Sequence, residues 1–133
     1  MKTFPLQIVT PDGMVFDGEA VSLLIRSIGG DMAILAGHAD FMTPLGTGHA
    51  KITLPDGTVK DASASGGFLS VKQGKVSAVT TTFEYAEDID LARAEKAKEK
   101  AEEKLKTATE GREIDLAKAK LSRALSRIST VKK

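Results

Sequence analysis

The chain has 133 residues, a formal net charge of +1 and no cysteine. The absence of cysteine excludes a disulfide framework, a thiolate metal site and a cysteine nucleophile. The nearly balanced charge gives no electrostatic case for nucleic acid as the main partner. No apolar run approaches the roughly 20 residues that cross a bilayer. Residues 1–13 also lack the long apolar stretch of a secretory signal, so we expect a protein that stays inside the cell.

Residues 1–84 alternate short apolar or β-branched runs with turn signals, and this pattern predicts β-strands. The runs are LQIVT, AVSLLIRSI, AKITL, TVKDAS, GGFLSV and KVSAVTTTFEY. Pro-Asp-Gly occurs twice, at 11–13 and 55–57, where proline presets φ and glycine accepts the positive φ of a tight turn. Short strands bury one face each, so we predict an N-terminal antiparallel β-sandwich made of two packed sheets. The candidate core residues are Ile8, Val15, Val21, Leu23, Ile25, Ile34, Ile52, Leu54, Phe68, Val71, Val76 and Val79.

Residues 85–133 have a different character and predict a C-terminal antiparallel two-helix hairpin. They carry a net charge of +3, against −2 for residues 1–84, and Gly111 is their only glycine. Small or apolar residues recur at steps of three and four, which is the narrow seam of a coiled coil. The first seam is Leu91, Ala94, Lys98, Ala101, Leu105 and Ala108, and the second is Ile114, Ala117, Leu121, Ala124, Ile128 and Val131. Gly111 in TATEGR is expected to break the helix, and the alanine-rich seam predicts a hairpin stable enough to form but weak enough to open.

The usual chemical motifs give mostly negative results. SIGGDMA and SASGGFL lack the lysine of a phosphate-binding loop. The two histidines, His38 and His49, support neither a nucleophile triad nor a metal site, and we expect them in loops or interfaces. The residues therefore predict a protein that is not an enzyme on its own.

The order of motifs along the whole chain resembles the epsilon subunit of bacterial F-type ATP synthases. The resemblance rests on TPDGMVFDG at residues 10–18, GDMAILAGHA at 30–39, SGGFLSV at 65–71 and the later EDIDLARAEKAKEKAEEKL. The chain departs from the usual pattern at Ala33, Ala36 and Asp40, where the family has Gly, Pro and Pro. These departures affect the rigidity of a loop more than the identity of the family.

The resemblance implies a non-catalytic rotor subunit in the central stalk. Residues 1–84 would bind the gamma subunit and the c-ring, and Gly30, Asp31 and His38 are the candidate rotor-interface residues. Residues 85–133 would switch between a compact hairpin and an extended form that reaches the alpha and beta subunits and inhibits ATP hydrolysis. It also implies a peripheral position at the cytoplasmic face of the cell membrane.

IDLARA, at residues 89–94, is similar to a motif with which some epsilon subunits bind ATP as a regulatory ligand. An antiparallel hairpin sets the start of the first helix opposite the end of the second, and residues seven or four apart share a helix face. The four cationic side chains at positions 93, 100, 123 and 127 would then lie close together and face a polyanion such as a triphosphate. The carboxylates of Glu84 and Asp90 would accept hydrogen bonds from adenine or ribose. The expected ATP-binding residues are Glu84, Ile89, Asp90, Arg93, Ala94, Lys100, Arg123 and Arg127. Lys100 replaces the usual arginine, which keeps the charge but loses the guanidinium fork; the role of Mg²⁺ stays open.

Plainer interpretations remain open at the sequence level. Asp90 can serve only as a helix cap, and Arg123 and Arg127 can pair with Glu95 or Asp115. A free-standing coiled-coil scaffold or adaptor is the alternative function. A nucleic-acid adaptor is disfavoured because residues 85–133 hold a single aromatic residue, Tyr85, for base stacking.

Overall fold

The computed structural model describes residues 2–132, which form a β-sandwich followed by two α-helices. The strands are β1 Phe4–Thr10, β2 Gly13–Ala20, β3 Ser22–Ser27, β4 Gly30–Leu35, β5 Phe41–Pro44, β6 Thr47–Thr53, β7 Val59–Ser65, β8 Phe68–Lys72, β9 Lys75–Val79 and β10 Thr82–Tyr85. A 3₁₀ turn at Ala86–Asp88 leads into α1, Leu91–Thr107, and α2, Gly111–Lys132. The division predicted at residues 84 and 85 falls within β10.

Ten strands form two five-stranded sheets. The first sheet has the order β2-β1-β9-β8-β5, and the second has the order β10-β7-β6-β3-β4. The predicted sandwich is confirmed, and its strand pairs are antiparallel except for β1 and β9, which pair in parallel. A parallel pair needs a long connection between its strands, and here the seven strands β2 to β8 separate the two partners along the chain.

The core lies between the inner faces of the two sheets. Its largest fully buried side chains are Leu6, Ile8, Leu23, Ile25, Ile34, Ile52, Leu69 and Thr80. Of the predicted core residues, Val15, Val21 and Leu54 are only partly buried. The prediction was wrong for Phe68 and Val79, which are each 56% exposed. They face each other across β8 and β9 on the outer face, because Leu69 and Ala78 beside them point inward and side chains alternate along a strand.

The run KVSAVTTTFEY, predicted as one strand, divides between the two sheets. Its first part is β9 in the first sheet, and its last part is β10 in the second sheet. The chain crosses at Thr80 and Thr81, whose backbone N–H groups donate to the carbonyl oxygens of Val9 and Ser65. Strands β2, β4 and β5 were not among the predicted runs. Each is an edge strand with at most one buried residue, so its apolar pattern is weak.

The two helices form the predicted antiparallel hairpin. Its seam is confirmed by four alanines that are at most 3% exposed: Ala94, Ala101, Ala117 and Ala124. Leucine and isoleucine at the other seam positions are partly buried. The break between the helices lies at residues 108–110, so Gly111 is the first residue of α2 and not the predicted breaker.

Helix α2 also packs on the outer face of the second sheet, against β6 and β7. The α2 residues buried there are Ser126 and Thr130, which are small and polar. Ala62 and Ala64 face the core, and the packing of α2 explains why Ser63, on the opposite face of the same strand, is also buried. The hairpin is therefore docked on the sandwich through a polar contact rather than through large apolar side chains.

Candidate functional site

The start of α1 and the end of α2 meet beside the edge strand β10. Asp90 caps α1, since its carboxylate accepts a hydrogen bond from the backbone N–H of Arg93 at 3.1 Å. Such a cap stabilises a helix by about 1 kcal/mol. The plain interpretation of Asp90 as a helix cap thus describes its contact in this structure, and its second carboxylate oxygen is left for a further partner.

Two adjoining clefts contain all eight residues predicted to bind ATP. The first, of about 370 Å³, lies between β10 and the start of α1; we call it the acidic cleft. It is lined by Glu84, Asp88, Ile89, Asp90, Arg93, Ala94, Ala97 and Arg127. Three carboxylates and two guanidinium groups thus share a small volume, with the Ile89 and Ala94 side chains supplying apolar wall.

The second cleft, of about 520 Å³, lies in the groove between α1 and α2; we call it the basic cleft. It is lined by Ala97, Lys100, Ala101, Lys104, Glu113, Leu116, Ala117, Lys120, Arg123 and Arg127. Five of these residues are cationic and only Glu113 is acidic. Ala97 and Arg127 belong to both clefts, so the two clefts form one groove with opposite charge at its two ends.

The predicted convergence of four cations is met only in part. Lys100, Arg123 and Arg127 line the basic cleft, whereas Arg93 lies in the acidic cleft together with Arg127. Residues 93 and 100 are two helical turns apart, about 10 Å along α1. This separation spreads the cations along the groove, with Arg127 at the junction.

Ion pairing distinguishes Arg127 from the other cations. Its Nε donates to Oε1 of Glu84 at 2.5 Å, and this contact joins α2 to β10. In the range 2–132, neither Arg123 nor Arg127 is paired with Glu95 or Asp115; Glu95 instead lies 3.5 Å from Lys132. The alternative pairing considered from the sequence is therefore absent from this conformation.

Sequence reasoning missed several residues that line the groove: Asp88, Ala97, Lys104, Leu116 and Lys120. The signal for four of them was present, because residues 93, 97, 100 and 104 and residues 113, 116, 120, 123 and 127 follow steps of four and three. This spacing places each set on one helix face. Asp88 had no such signal, since it lies in the 3₁₀ turn before α1.

Metal binding has no support from the described side chains. Over residues 2–132, no group of three or more histidine, aspartate or glutamate residues is placed to hold a metal ion. Neither α1 nor α2 is long and apolar enough to cross a membrane.

The candidate rotor-interface residues do not form one cluster. Gly30 and Asp31 begin β4, where Asp31 pairs with Arg26 at 3.1 Å and Gly30 has a positive φ of 123°. His38 lies beyond the other end of β4, and its ring contacts that of Phe41 with 4.8 Å between centroids. The two parts of this prediction therefore lie at opposite ends of one edge strand.

An apolar row crosses the outer face of the first sheet, on the side of the sandwich away from the hairpin. Pairing places Pro44 opposite Phe68, Phe68 opposite Val79, Val79 beside Val9, and Val9 opposite Met14. Met14, Phe68 and Val79 each expose more than half of their surface. We call these five residues the apolar row, and contiguous exposed apolar surface of this kind is typical of a protein interface.

The fold and the groove together define a class of protein: a β-sandwich that carries a docked helical hairpin with a charged cleft. Two family models match the chain. Residues 3–86 match the beta-sandwich domain of the ATP synthase Delta/Epsilon chain, and residues 87–132 match the long alpha-helix domain of the same chain. The chain belongs to this family, as an epsilon subunit of the bacterial F-type ATP synthase. It is accordingly a non-catalytic subunit of that complex.

Individual relatives agree with this assignment over nearly the full length. An ATP synthase epsilon chain from Ruminococcus albus is 37% identical and covers 100% of this chain and 99% of its own. One from Bacillus velezensis is 38% identical over 96% of each chain. Among solved structures, a chain of the Euglena gracilis mitochondrial ATP synthase superposes with a TM-score of 0.86 at 24% identity, covering 98% of this chain and 82% of its own. This last likeness concerns the fold alone.

Proposed function

We propose that this chain is a rotor subunit of the central stalk whose helical hairpin inhibits ATP hydrolysis when extended and binds ATP when compact. The observation that carries the proposal is the groove between hairpin and sandwich. All eight residues expected to bind ATP line it, although they come from β10, from the two residues between the 3₁₀ turn and α1, and from α1 and α2. These segments lie next to one another only when the two helices are paired and α2 is docked on the sandwich.

The charge distribution of the groove supports one orientation of the nucleotide. The acidic cleft offers carboxylate acceptors for the adenine amino group and the ribose hydroxyls. The basic cleft offers Lys100, Arg123 and Arg127 to the phosphates, and arginine is suited to bidentate phosphate contacts. Adenosine would then lie beside Glu84 and Asp90, and the triphosphate would point along the groove between the helices. Since no group of three or more carboxylate or histidine residues in the range 2–132 is placed to hold a metal ion, any Mg²⁺ would be held mainly by phosphate oxygens.

Ligand binding to the compact form alone would control the switch by mass action. ATP at a hundredfold excess over its Kd would stabilise the docked hairpin by about 2.7 kcal/mol. A change of this size moves a balanced equilibrium almost completely to one side. The alanine seam and the polar docking contact support a small free-energy difference between the two conformations.

The experiment is a calorimetric titration of the full chain with ATP and ADP, with and without Mg²⁺. Arg123→Ala and Arg127→Ala should each weaken ATP binding by roughly 1.5–3 kcal/mol, because each removes a charge-assisted phosphate contact. ADP, with one phosphate fewer, should bind more weakly than ATP. Asp90→Ala should lower the affinity for ATP, because it removes a carboxylate beside the nucleoside and the cap at the start of α1. Arg112→Ala is the control, since Arg112 is exposed in the first turn of the same helix and lines neither cleft. Equal ATP affinity for the unsubstituted chain and all four variants would refute the site.

The apolar row supports a docking role for the sandwich. Its partner would be the gamma subunit, and the c-ring would contact one end of the sandwich. Phe68→Asp places a charge in the middle of the row and should abolish gamma binding. Val59→Asp is the control, because Val59 is 43% exposed on the second sheet.

A chain lacking residues 88–133 should still bind gamma and support ATP synthesis, since the core of the sandwich is formed by sandwich residues and not by the hairpin. If the truncated chain loses gamma binding, the assignment of docking to the sandwich fails.

Inhibition of hydrolysis would come from the extended hairpin presenting α2 to acidic surface of the alpha and beta subunits. Replacing Lys118, Lys120, Arg123 and Arg127 together with alanine should therefore relieve inhibition in the assembled complex. Hydrolysis that stays equally inhibited after this change would exclude a charge-dependent contact. Association with the rotor would place the chain at the cytoplasmic face of the membrane, as a peripheral component.

A further inference from the structure

Over residues 2–132, two polar side-chain contacts tie the hairpin to the sandwich, and they lie side by side. The hydroxyl oxygens of Ser63 on β7 and Ser126 on α2 are 2.7 Å apart and buried. The second contact is the ion pair between Glu84 on β10 and Arg127 on α2. Ser63 and Glu84 are direct partners across β7 and β10, and Ser126 and Arg127 are neighbours in sequence. Adjacent residues of the helix are thus held by adjacent residues of the sheet; we call these four residues the docking clamp.

The clamp fixes α2 both along its axis and about it. Ser126 points at the sheet, and one residue is about 100° of rotation in a helix of 3.6 residues per turn. Arg127 is thereby turned toward β10 and the junction of the two clefts, and Arg123, one turn earlier, toward the basic cleft. A shift of α2 by one turn, about 5 Å, would move Arg127 away from Glu84 and from the junction of the two clefts.

The two hydroxyl groups of the clamp lie in buried surroundings. Thr130, one turn later and only 3% exposed, donates its hydroxyl to the Ser126 carbonyl oxygen at 2.7 Å. Ser126 is 8% exposed and Ser63 is 5% exposed, so neither hydroxyl has ready access to water if its partner is lost. Buried hydroxyl groups without a partner are costly, whereas removal of both partners together can be nearly neutral.

We propose that Ser63 and Ser126 are positioning residues of the nucleotide site. Their contact fixes the position of α2 relative to β7, and this position places Arg123 and Arg127 in the groove. This inference rests on the proposed ATP binding and extends it, because neither serine touches the groove. It follows that the sandwich is part of the ATP site through β7 as well as through Glu84. Undocking α2 from the sheet is then sufficient to dismantle the site even while α1 and α2 stay paired.

The test uses the full chain with Ser126→Ala, Ser63→Ala, the double variant and Ser126→Leu. Ser122→Ala is the matched control, since Ser122 is exposed one turn earlier on α2. Readouts are ATP affinity by calorimetry, amide hydrogen exchange of α2, and thermal unfolding of the sandwich. Ser126→Ala leaves the hydroxyl of Ser63 on β7 buried without its partner, and should weaken ATP binding about tenfold. Ser63→Ala should cost less, because a helical serine can turn its hydroxyl to the carbonyl four residues earlier.

The double variant and the leucine variant separate positioning from general stability. With both hydroxyls removed, two methyl groups meet and ATP affinity should recover to within about threefold of the unsubstituted chain. Ser126→Leu should force α2 off the sheet, speed its amide exchange and reduce ATP affinity more than tenfold, without moving the unfolding temperature of the sandwich. Reduced apparent affinity is expected because only the docked fraction of molecules can bind.

Two results would overturn the proposal. One is ATP binding within twofold of the unsubstituted chain for both Ser126→Ala and Ser126→Leu. The other is a double variant no better than Ser126→Ala, since that would show a loss unrelated to the hydroxyl pair. If the unsubstituted chain itself does not bind ATP, the proposed function fails, and hydrogen exchange alone then decides on the clamp. In that case faster exchange of α2 in Ser126→Leu than in Ser122→Ala supports the clamp, and equal exchange refutes it.

Discussion

The sandwich and the hairpin are held together by different kinds of contact. The sandwich buries large aliphatic side chains completely, including Leu23, Ile34 and Ile52, each 0% exposed. The hairpin buries four alanines between its helices and two small polar residues against the sheet. Burying a leucine or isoleucine contributes about 1.5–3 kcal/mol, whereas a methyl group contributes about 0.8. The chain thus combines one part with a deep core and one part whose contacts can be exchanged at small cost.

This difference would suit the proposed switch, in which the sandwich stays attached to the rotor while the hairpin moves. Large free energies resist opening, so a segment that opens on the time scale of regulation has few buried apolar contacts. The seam of α1 and α2 meets this condition by its alanines, and the docking clamp meets it by using a hydroxyl pair and a partly exposed ion pair. Ligands that bind across the clamp, as proposed for ATP, would then add to a contact that is weak without them.

The largest effect is expected where the sandwich tolerates no side chain at all. Gly67 has a φ of 92°, and a Cβ there would lie 1.7 Å from the carbonyl oxygen of Val79. Gly67→Ala should therefore destabilise the sandwich by at least about 4 kcal/mol, the range in which single substitutions are exceptional. Gly57→Ala is the control, because Gly57 has a similar φ of 89° with no atom within 4 Å of its Cβ position. It should cost only about 1–2 kcal/mol, the penalty of the left-handed backbone itself.

Urea unfolding followed by the fluorescence of Tyr85, the one tyrosine in a chain without tryptophan, measures both variants. Equal losses for Gly67→Ala and Gly57→Ala would mean that the contact with Val79 adds nothing to the backbone cost. The sandwich would then be more adaptable than its packing indicates, and the contrast with the hairpin would be weaker.

A smaller effect, confined to the hairpin, is expected for Ala124→Gly. Glycine in a helix interior costs about 1 kcal/mol relative to alanine, and loss of the buried methyl group adds about 0.8 kcal/mol. Ala119→Gly, at an exposed position of α2, should cost only the first of these. Hydrogen exchange of α2 should therefore accelerate more in Ala124→Gly than in Ala119→Gly, while the urea midpoint of the sandwich stays unchanged. A shift of that midpoint would show that the two parts unfold as one unit.

The sequence predicted the two-part architecture and the hairpin seam because both depend on local periodicity. Steps of three and four identified Ala94, Ala101, Ala117 and Ala124, all of which are buried. The same kind of reasoning failed for Phe68 and Val79, since an apolar side chain in a strand fits either face until the neighbouring strands are known. Strand order and the parallel pairing of β1 with β9 likewise depend on contacts between distant segments, which no local pattern records.

The eight residues expected to bind ATP all line the groove, but the internal arrangement of the groove was not predicted. Helical spacing and the resemblance indicated Arg93, Lys100, Arg123 and Arg127 as one cluster. The distribution of these cations over two clefts depends on how α2 sits on the second sheet. That position is set by the contact of Ser63 with Ser126, two residues 63 positions apart with no motif to connect them. Residues that act by placing others give little signal in a single sequence.

The smallest effect is expected at the edge of the sandwich next to the hairpin, where Tyr85 closes the gap between the two sheets. Its hydroxyl donates to the carbonyl oxygen of Val15 at 2.7 Å, and its ring contacts that of Phe83 edge-to-face. Tyr85→Phe should keep the ring contact and lose the hydrogen bond, at a cost of about 1 kcal/mol at neutral pH.

Burial raises the pKa of the Tyr85 phenol above its ordinary value, and the nearby Asp88 and Glu87 carboxylates raise it further. The folded chain therefore holds this proton more tightly than the unfolded chain does, so stability from the neutral phenol is fully present below about pH 10 and is lost as pH rises through the raised pKa. Urea midpoints measured by circular dichroism from neutral pH to about pH 11 should fall for the natural chain and fall less for Tyr85→Phe, which has no phenol to ionise. Parallel curves for the two chains would mean that lysine deprotonation causes the alkaline loss, and that the link between the sheets at Tyr85 is not sensitive to pH.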